Sequence, residues 1–297
     1  MRTVGSGSLR APYVAPTSLR YRKATRRTKR AARYVVVVAV LVVALFPAYW
    51  MFLSAVQPSQ YEITWPPALF FHGFVLNAFE TLFASYPVAT WMLHSLIAAA
   101  VCVGVTLCGA VPGAYLLSKL KWRGVAPFGF LLLFTQLMPG AMVVVPELEL
   151  YRSLHWTNNL YALGVLYAAF NIPLGCWILK ASFDSVPNAV IDSARVDGAG
   201  LMRALTKVLL PLSRPGLVAV AVVAFFGAWN DYVFASALVT SNSLYTAGLG
   251  LAEFYSSQVL HIDQLVAAAV VFSIVPVLLY VGVQRHVVRG LTAGAVK

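Results

Sequence analysis

From Tyr34 to Val56 the chain runs 23 residues without a charged side chain. At 1.5 Å per residue, a helix of that length outreaches a bilayer hydrocarbon core of about 30 Å. It is also longer than the apolar region of a cleavable signal peptide, so it reads as an uncleaved first span. Five more apolar stretches follow, at about 91–117, 125–146, 160–179, 212–240 and 265–284. Within lipid every backbone polar group needs an internal partner, and stretches this long satisfy that as helices. The sequence therefore predicts an all-α integral membrane protein with six transmembrane helices, in which residues 1–33 form a basic cytoplasmic tail, flexible or with a short surface helix around Leu19 to Arg33, and 34–297 the membrane domain. A hydrophobic content of 60% against 11% charged residues excludes a soluble core able to hide that surface.

The basic residues test this count. Ten lie between Arg2 and Arg33 with no acid among them, immediately before the first span. A nucleic-acid partner for such a run is set aside in favour of anionic membrane lipid, which holds basic flanks at the cytoplasmic face. With the amino terminus inside and six spans, 21 of the 22 Lys and Arg fall on the cytoplasmic side, and Arg152 alone falls outside. Both termini are thus expected in the cytoplasm of a bacterial-type plasma membrane.

Several functions are disfavoured by missing chemistry. Cys102, Cys108 and Cys176 lie in apolar stretches without metal-ligand spacing, and read as small hydrophobes. His94, His155 and His261 are scattered, so neither a metal nor a catalytic residue is assigned. The phosphate-cradling G-x-x-x-x-G-K-[ST] pattern is absent, so no cofactor is expected on this chain and any ATP must be used by a partner subunit. Trp65, Trp91 and Trp156 fall near predicted membrane edges, where tryptophan commonly sits. Prolines at 47, 112, 139, 173, 211, 215 and 276 interrupt the spans. Singly they read as packing kinks and together as a pathway that moves.

The longest cytoplasmic connection, about 180–215, carries more pattern than a linker. Asp184 or Ser185 is placed to cap a helix with Pro187 in its first turn. Leu201, Ala204, Leu205, Val208 and Leu209 then recur at helical spacing, after a break at Gly198. Two short helices joined at a glycine could form a knob for a partner's groove, or an amphipathic segment lying on the membrane. The residues alone weigh these equally.

The run Asp192-Ser193-Ala194-Arg195-Val196-Asp197-Gly198, followed after nine residues by Val208-Leu209-Leu210-Pro211, resembles the EAA signature of ABC importer permeases. Asp at 192, Ser at 193 and Val at 208 depart conservatively from that signature. The likeness extends over most of the chain and is closest to the smaller permease of maltose-type sugar importers. It is carried by Thr135-Gln136 before Pro139 and Pro146, Pro173 before Trp177, and Trp229-Asn230-Asp231. Glu147 and Glu149 after Pro146 depart from it. The resemblance implies a type I ABC importer permease fold. It implies a role as one of two unlike permeases, fed by an extracytoplasmic solute-binding protein and driven by a cytoplasmic ATPase dimer, with a sugar as substrate. It implies that Asp192, Ser193, Ala194, Asp197, Gly198 and Pro211 belong to the contact with the ATPase.

Polar groups inside the spans mark a candidate pathway. An intramembrane carboxylate costs at least ~2.5 kcal/mol unless paired or watered, so Asp231 faces either a cavity or a neighbouring helix. With Trp229, Asn230 and Tyr232 it offers the rings and hydrogen-bonding groups that sugars use. Asn171 and Tyr167 are weaker lining candidates, since an isolated Asn also joins helices. The competing reading is a stand-alone ion-coupled secondary carrier, which calls for internal repeats that the halves do not display. A rhomboid-type intramembrane protease calls for a serine–histidine pair that the spans lack.

Overall fold

The computed structural model describes residues 17–58, 69–120, 122–256 and 262–293, and among these it contains helices and loops but no strand. Trp65, Lys121 and His261 lie outside the described residues. Residues 1–53 and 54–297 form two separate compact units.

In the first unit residues 17–33 of the tail are helical. Helix α1 runs unbroken from Thr17 to Val56, through the basic sequence and on into the apolar span, with Pro47 inside it. Ala, Arg and Lys are good helix formers, and extending an existing helix avoids the cost of a new nucleus. Side chains from Tyr34 to Phe46 are exposed, among them Val35, Val38, Leu41 and Leu45. That exposure suits contact with lipid chains rather than water.

The second unit is built around α3 (Val88–Ser118), α6 (Leu160–Asp184) and α10 (Arg214–Trp229). Small residues let these helices approach: a Cβ on Gly164 would come 2.6 Å from the Ala98 carbonyl oxygen, and one on Gly175 3.0 Å from the Ala110 methyl. Two apolar clusters lie along the trio. One joins Ala99, Leu166, Phe225 and Leu238, and the other joins Ala114, Leu179, Phe183 and Leu209. A third gathers Leu82 of α2 (Asn77–Ser85), Trp91, Phe254 of α12 (Ala247–Ser256), and Ala267 and Phe272 of α13 (Ile262–Ala293). Trp91 is therefore a core residue, 2% exposed, and not part of an interfacial belt. Trp156 is exposed and meets Tyr151 edge-on. Cys102 and Cys176 are buried, Cys108 is exposed, and all three are free thiols.

Two expected spans are broken. The segment predicted at 125–146 is a pair, α4 (Val125–Thr135) and α5 (Gly140–Ser153), bent by 94°. Pro139 takes an extended ψ of 123° at the start of α5 and has no N–H to continue the helix. The segment predicted at 212–240 is bent by 80° where α10 meets the short helices before it, and it ends at Trp229. Helix α11 (Val233–Leu238) follows three residues later. Pro112, Pro173 and Pro276, by contrast, sit inside continuous helices. Among the described residues, four single helices are long and apolar enough to cross a membrane, and the number is six if each bent pair crosses as one.

Candidate functional site

Local sequence explains the 180–215 loop only in part. Helix α6 continues through Asp184, so neither Asp184 nor Ser185 caps the next helix. The Asp184 carboxylate instead accepts bonds from Lys180 Nζ and Ser118 Oγ, both at 2.6 Å. Ser185 Oγ donates to the Ser182 carbonyl. Helix α7 (Asn188–Val196) starts after Pro187, whose fixed φ suits that entry. Its two ends are then fastened to the last turn of α3. Lys119 Nζ donates to the Val186 carbonyl at 2.8 Å and to Asn188 Oδ1 at 3.0 Å. Arg195 Nη2 donates to Tyr115 Oη at 3.3 Å. Between these bonds Ile191 is buried, and a cavity of about 330 Å³ is lined by Lys119, Asn188, Asp192 and Arg195. Burial holds the Lys119 ammonium below the usual lysine range, although Asp184 nearby pulls the other way.

Beyond α7 the chain turns at Gly198 with φ +82°, a conformation that L side chains resist. A Cβ there would meet nothing within 4 Å, so the backbone and not crowding demands the glycine. The expected second helix is present in three parts: α8 (Leu201–Ala204), a π turn (Leu205–Leu209) and α9 (Leu210–Leu212). The ring of Pro211 conflicts with the carbonyl four residues back, and a widened turn just before it relieves that conflict.

The motif residues divide by exposure. Asp192, Ser193, Asp197, Gly198 and Pro211 face outward, while Ala194 is half-buried. Ser193 Oγ is turned back onto the Ala189 carbonyl. Val196 is 88% exposed, and Leu201 and Met202 are exposed beside it. The two short helices thus expose apolar side chains among charges of both signs, Asp192, Arg195, Asp197 and Arg203. Sequence reasoning missed Val196 and Met202, although an apolar residue between Arg195 and Asp197 was a readable signal. It also missed Tyr115 and Lys119, whose partners lie some 70 to 80 residues away, where no local pattern reports them.

The predicted pathway residues separate in the same way. Trp229 is buried and stacked on Phe225 at 5.5 Å, and Tyr167 is buried as well. Both are core residues and not a lining. Tyr167 Oη donates to Asp231 Oδ2 at 2.8 Å, and the same carboxylate oxygen accepts from the Ala235 amide at 3.1 Å. Asp231 therefore staples the start of α11 to α6. Asn171 donates to the Tyr167 carbonyl, and its amide lies 3.0 Å from where a Cβ on Gly227 would sit, so it occupies the α6–α10 contact. Asn230 and Tyr232 remain exposed.

A bundle of apolar helices whose long loop folds into a protruding helical pair, fastened to one span, is a membrane subunit built to meet another protein. The model of the binding-protein-dependent transport system inner membrane component family matches residues 23–293. The chain belongs to this family. It is similar to the sulfoquinovosyl glycerol transport system permease protein SmoH of Agrobacterium fabrum, at 30% identity over 267 residues, covering 89% of this chain and 93% of that one. It is similar too to the diacetylchitobiose uptake system permease protein DasC of Streptomyces coelicolor, at 30% identity over 265 residues, covering 89% and 95%. Its fold matches a chain of a bacterial ABC transporter involved in the import of the acidic polysaccharide alginate, with a TM-score of 0.75, 20% identity, and coverage of 93% and 99%. The fold is that of a type I ABC importer permease. Membership in a family of permeases for binding-protein-dependent systems sets aside the secondary carrier and the intramembrane protease.

Proposed function

We propose that this chain forms half of the translocation pathway of an ATP-driven carbohydrate importer, paired with a second, unlike permease. A solute-binding protein delivers the sugar at the outer face, and two ATPase subunits bind at the cytoplasmic face. The carbohydrate class is supported by the relatives, several of which are named as permeases for glycosides or oligosaccharides. The cytoplasmic placement of both termini and of the 180–215 loop is supported by the distribution of Lys and Arg.

The observation that carries this reading is the helical pair at 188–212, whose first helix α7 is held at both ends by α3, and which exposes Val196, Leu201 and Met202. Apolar side chains exposed together in so short a stretch suit a surface that a partner covers. Asp192, Ser193, Ala194, Asp197 and Gly198 shape the docking helix and its turn, and Pro211 shapes the π turn behind it. ATP is consumed by the partner, and closure of the ATPase dimer reaches the spans through α7 and the last turn of α3.

The test is affinity purification of the tagged chain from native membranes in mild detergent, with partners identified by mass spectrometry. The expected result is stoichiometric recovery of a P-loop ATPase and a second permease carrying the same loop signature. Recovery of the chain without either would overturn the reading.

A further inference from the structure

Helix α3 runs 31 residues from Val88, about 46 Å, before its last turn meets the 180–215 loop. The segment just ahead of it therefore lies at the end of the bundle remote from that loop. Within this segment α2 buries Ala78 and Leu82 in one cluster with Ala267 and Ala268, which stand in the first two turns of α13. The Val75 amide donates to the carbonyl of Val56, the last residue of α1, at 2.9 Å. Val88–Ser118 and Ile262–Gln284 are each long and apolar enough to cross a bilayer. Residues 69–85 thus sit level with the points where these spans leave the membrane.

The surface of this rim is sorted by chemistry. Phe70, Phe71, Phe74 and Leu76 are exposed, Phe70 at 76% and Phe74 at 65%. Around α2 three faces follow one another. Ala78 and Leu82 meet α13; Phe79 and Phe83, one residue further round, are half-buried and exposed; Asn77, Glu80, Thr81 and Ser85 fill the remaining arc and are all exposed. A helix surrounded by water gains nothing from the middle face, and one sunk in lipid could not carry the last. The order suits a helix lying along a bilayer surface, with protein at its flank, acyl chains beneath and water above. Residues 69–76 fit the same depth. Their backbone is irregular, and irregular backbone does not face hydrocarbon, where its polar groups find no partner. At headgroup depth water reaches the backbone while the rings dip into the acyl boundary. His72 Nδ1 donates to the Phe70 carbonyl at 2.8 Å, which satisfies one such group locally.

We propose that residues 69–85 are a membrane-interface anchor of this subunit, and that their partner is the boundary between headgroups and acyl chains in the leaflet at that end. The inference rests on the spans crossing a bilayer and not on the carbohydrate reading. Glu80 is the only Asp, Glu, Lys or Arg from Leu69 to Val88, so the anchor holds by apolar contact and takes zwitterionic and anionic lipid alike. A soluble protein that docks and leaves at every cycle is steered by charge, of which this surface carries a single one. The anchor also acts on several spans at once. It is bonded to the end of α1, packed on the first turns of α13, and leads through Pro87 directly into α3. It therefore sets the depth at which these helices enter the bilayer.

The test uses the complete transporter in lipid vesicles opened to small solutes, so that a water-soluble maleimide reaches both faces, with the unaltered protein as background. Maleimide attacks the thiolate, and an ion is costly in lipid, so Thr81→Cys should react roughly ten-fold faster than Phe74→Cys or Phe83→Cys. The ratio should survive high salt and the exchange of anionic for zwitterionic lipid, and should vanish once the chain is unfolded. A second measurement needs no substitution. Phosphatidylcholine carrying a diazirine near its carbonyl should leave photo-adducts on Phe70, Phe71, Phe74 and Phe83 of the unaltered protein, read by mass spectrometry, and none on Thr81. Equal labelling of all three variants in folded vesicles would overturn the anchor. So would protection of positions 74 and 83 that is lost when the solute-binding protein is omitted, or photo-adducts on α13 with none in 69–85. Each of these results leaves the importer reading in place.

Discussion

The fifth expected span is interrupted at both ends, and the two interruptions are secured by opposite kinds of bond. At the 180–215 loop the fastening comes from Lys119, Arg195 and Asp184, long or charged groups at the edge of the bundle. Past Trp229 it comes from Asp231, Tyr167, Ser95 and Asn158, short or rigid groups, with buried Ser95 and Tyr167 among them. Water reaches the exposed bonds of the first set, those to Asp184 and Asn188, so each of these is worth little net and can re-form in a new place. In the second set the bonds at Ser95 and Asp231 leave buried or half-buried polar groups without partners if they open, which is costly. The proposed coupling therefore predicts a loop that moves about Gly198 against a far end that holds its shape.

The comparison can be broken most sharply at Gly198. Proline fixes φ near −65°, against the +82° observed. Gly198→Pro should leave membrane insertion intact and abolish ATP-driven uptake in reconstituted vesicles. Wild-type uptake by that variant would show that the turn carries no motion. Lys119→Met removes the fastening at the start of α7. It should lower uptake several-fold while the ATPase still co-purifies, with Lys119→Arg recovering part of the loss. A variant that loses the ATPase altogether would make Lys119 a folding residue instead.

At the far end, Tyr167→Phe should act on stability first. Deleting the hydroxyl leaves the half-buried Asp231 short of one partner, at about 1–3 kcal/mol. The thermal unfolding midpoint in detergent should fall, and an unchanged midpoint would mean that this end is not held by the staple. The smallest effect concerns pH. Lys119 in the folded chain gives up its proton below the ordinary 10.5. Between its folded value and 10.5 the unfolded chain binds more protons than the folded one, so stability should rise as pH rises through that window. Lys119→Met should flatten this rise in midpoint measured against pH.

Much of this architecture is legible in the sequence because lipid imposes a simple rule of length and polarity. The spans at 91–117, 160–179 and 265–284 fall within α3, α6 and α13, and the turn at Gly198 falls where the motif places it. Proline positions misled, since Pro112, Pro173 and Pro276 are absorbed by continuous helices while Pro139 stands at the start of a new one, after a break. The outcome depends on whether neighbours satisfy the freed carbonyl, which is a tertiary matter. Asp231 is conspicuous as an acid within a predicted span, but its partner Tyr167 stands 64 residues away, and only packing reveals that the pair is a staple. Trp229 and Tyr232 are three residues apart with similar chemistry, yet one is core and the other is exposed. The helix ends between them, so the usual periodicity no longer applies.

The three cysteines leave the chain blank to thiol labels. Cys102 and Cys176 are enclosed, while Cys108 lies on the outer surface of α3 within a membrane span, where it faces lipid chains or a partner and not water. A water-soluble maleimide should therefore leave the unaltered protein in its membrane unlabelled. A single cysteine placed on the 180–215 loop would then report that loop alone, without first removing the native three.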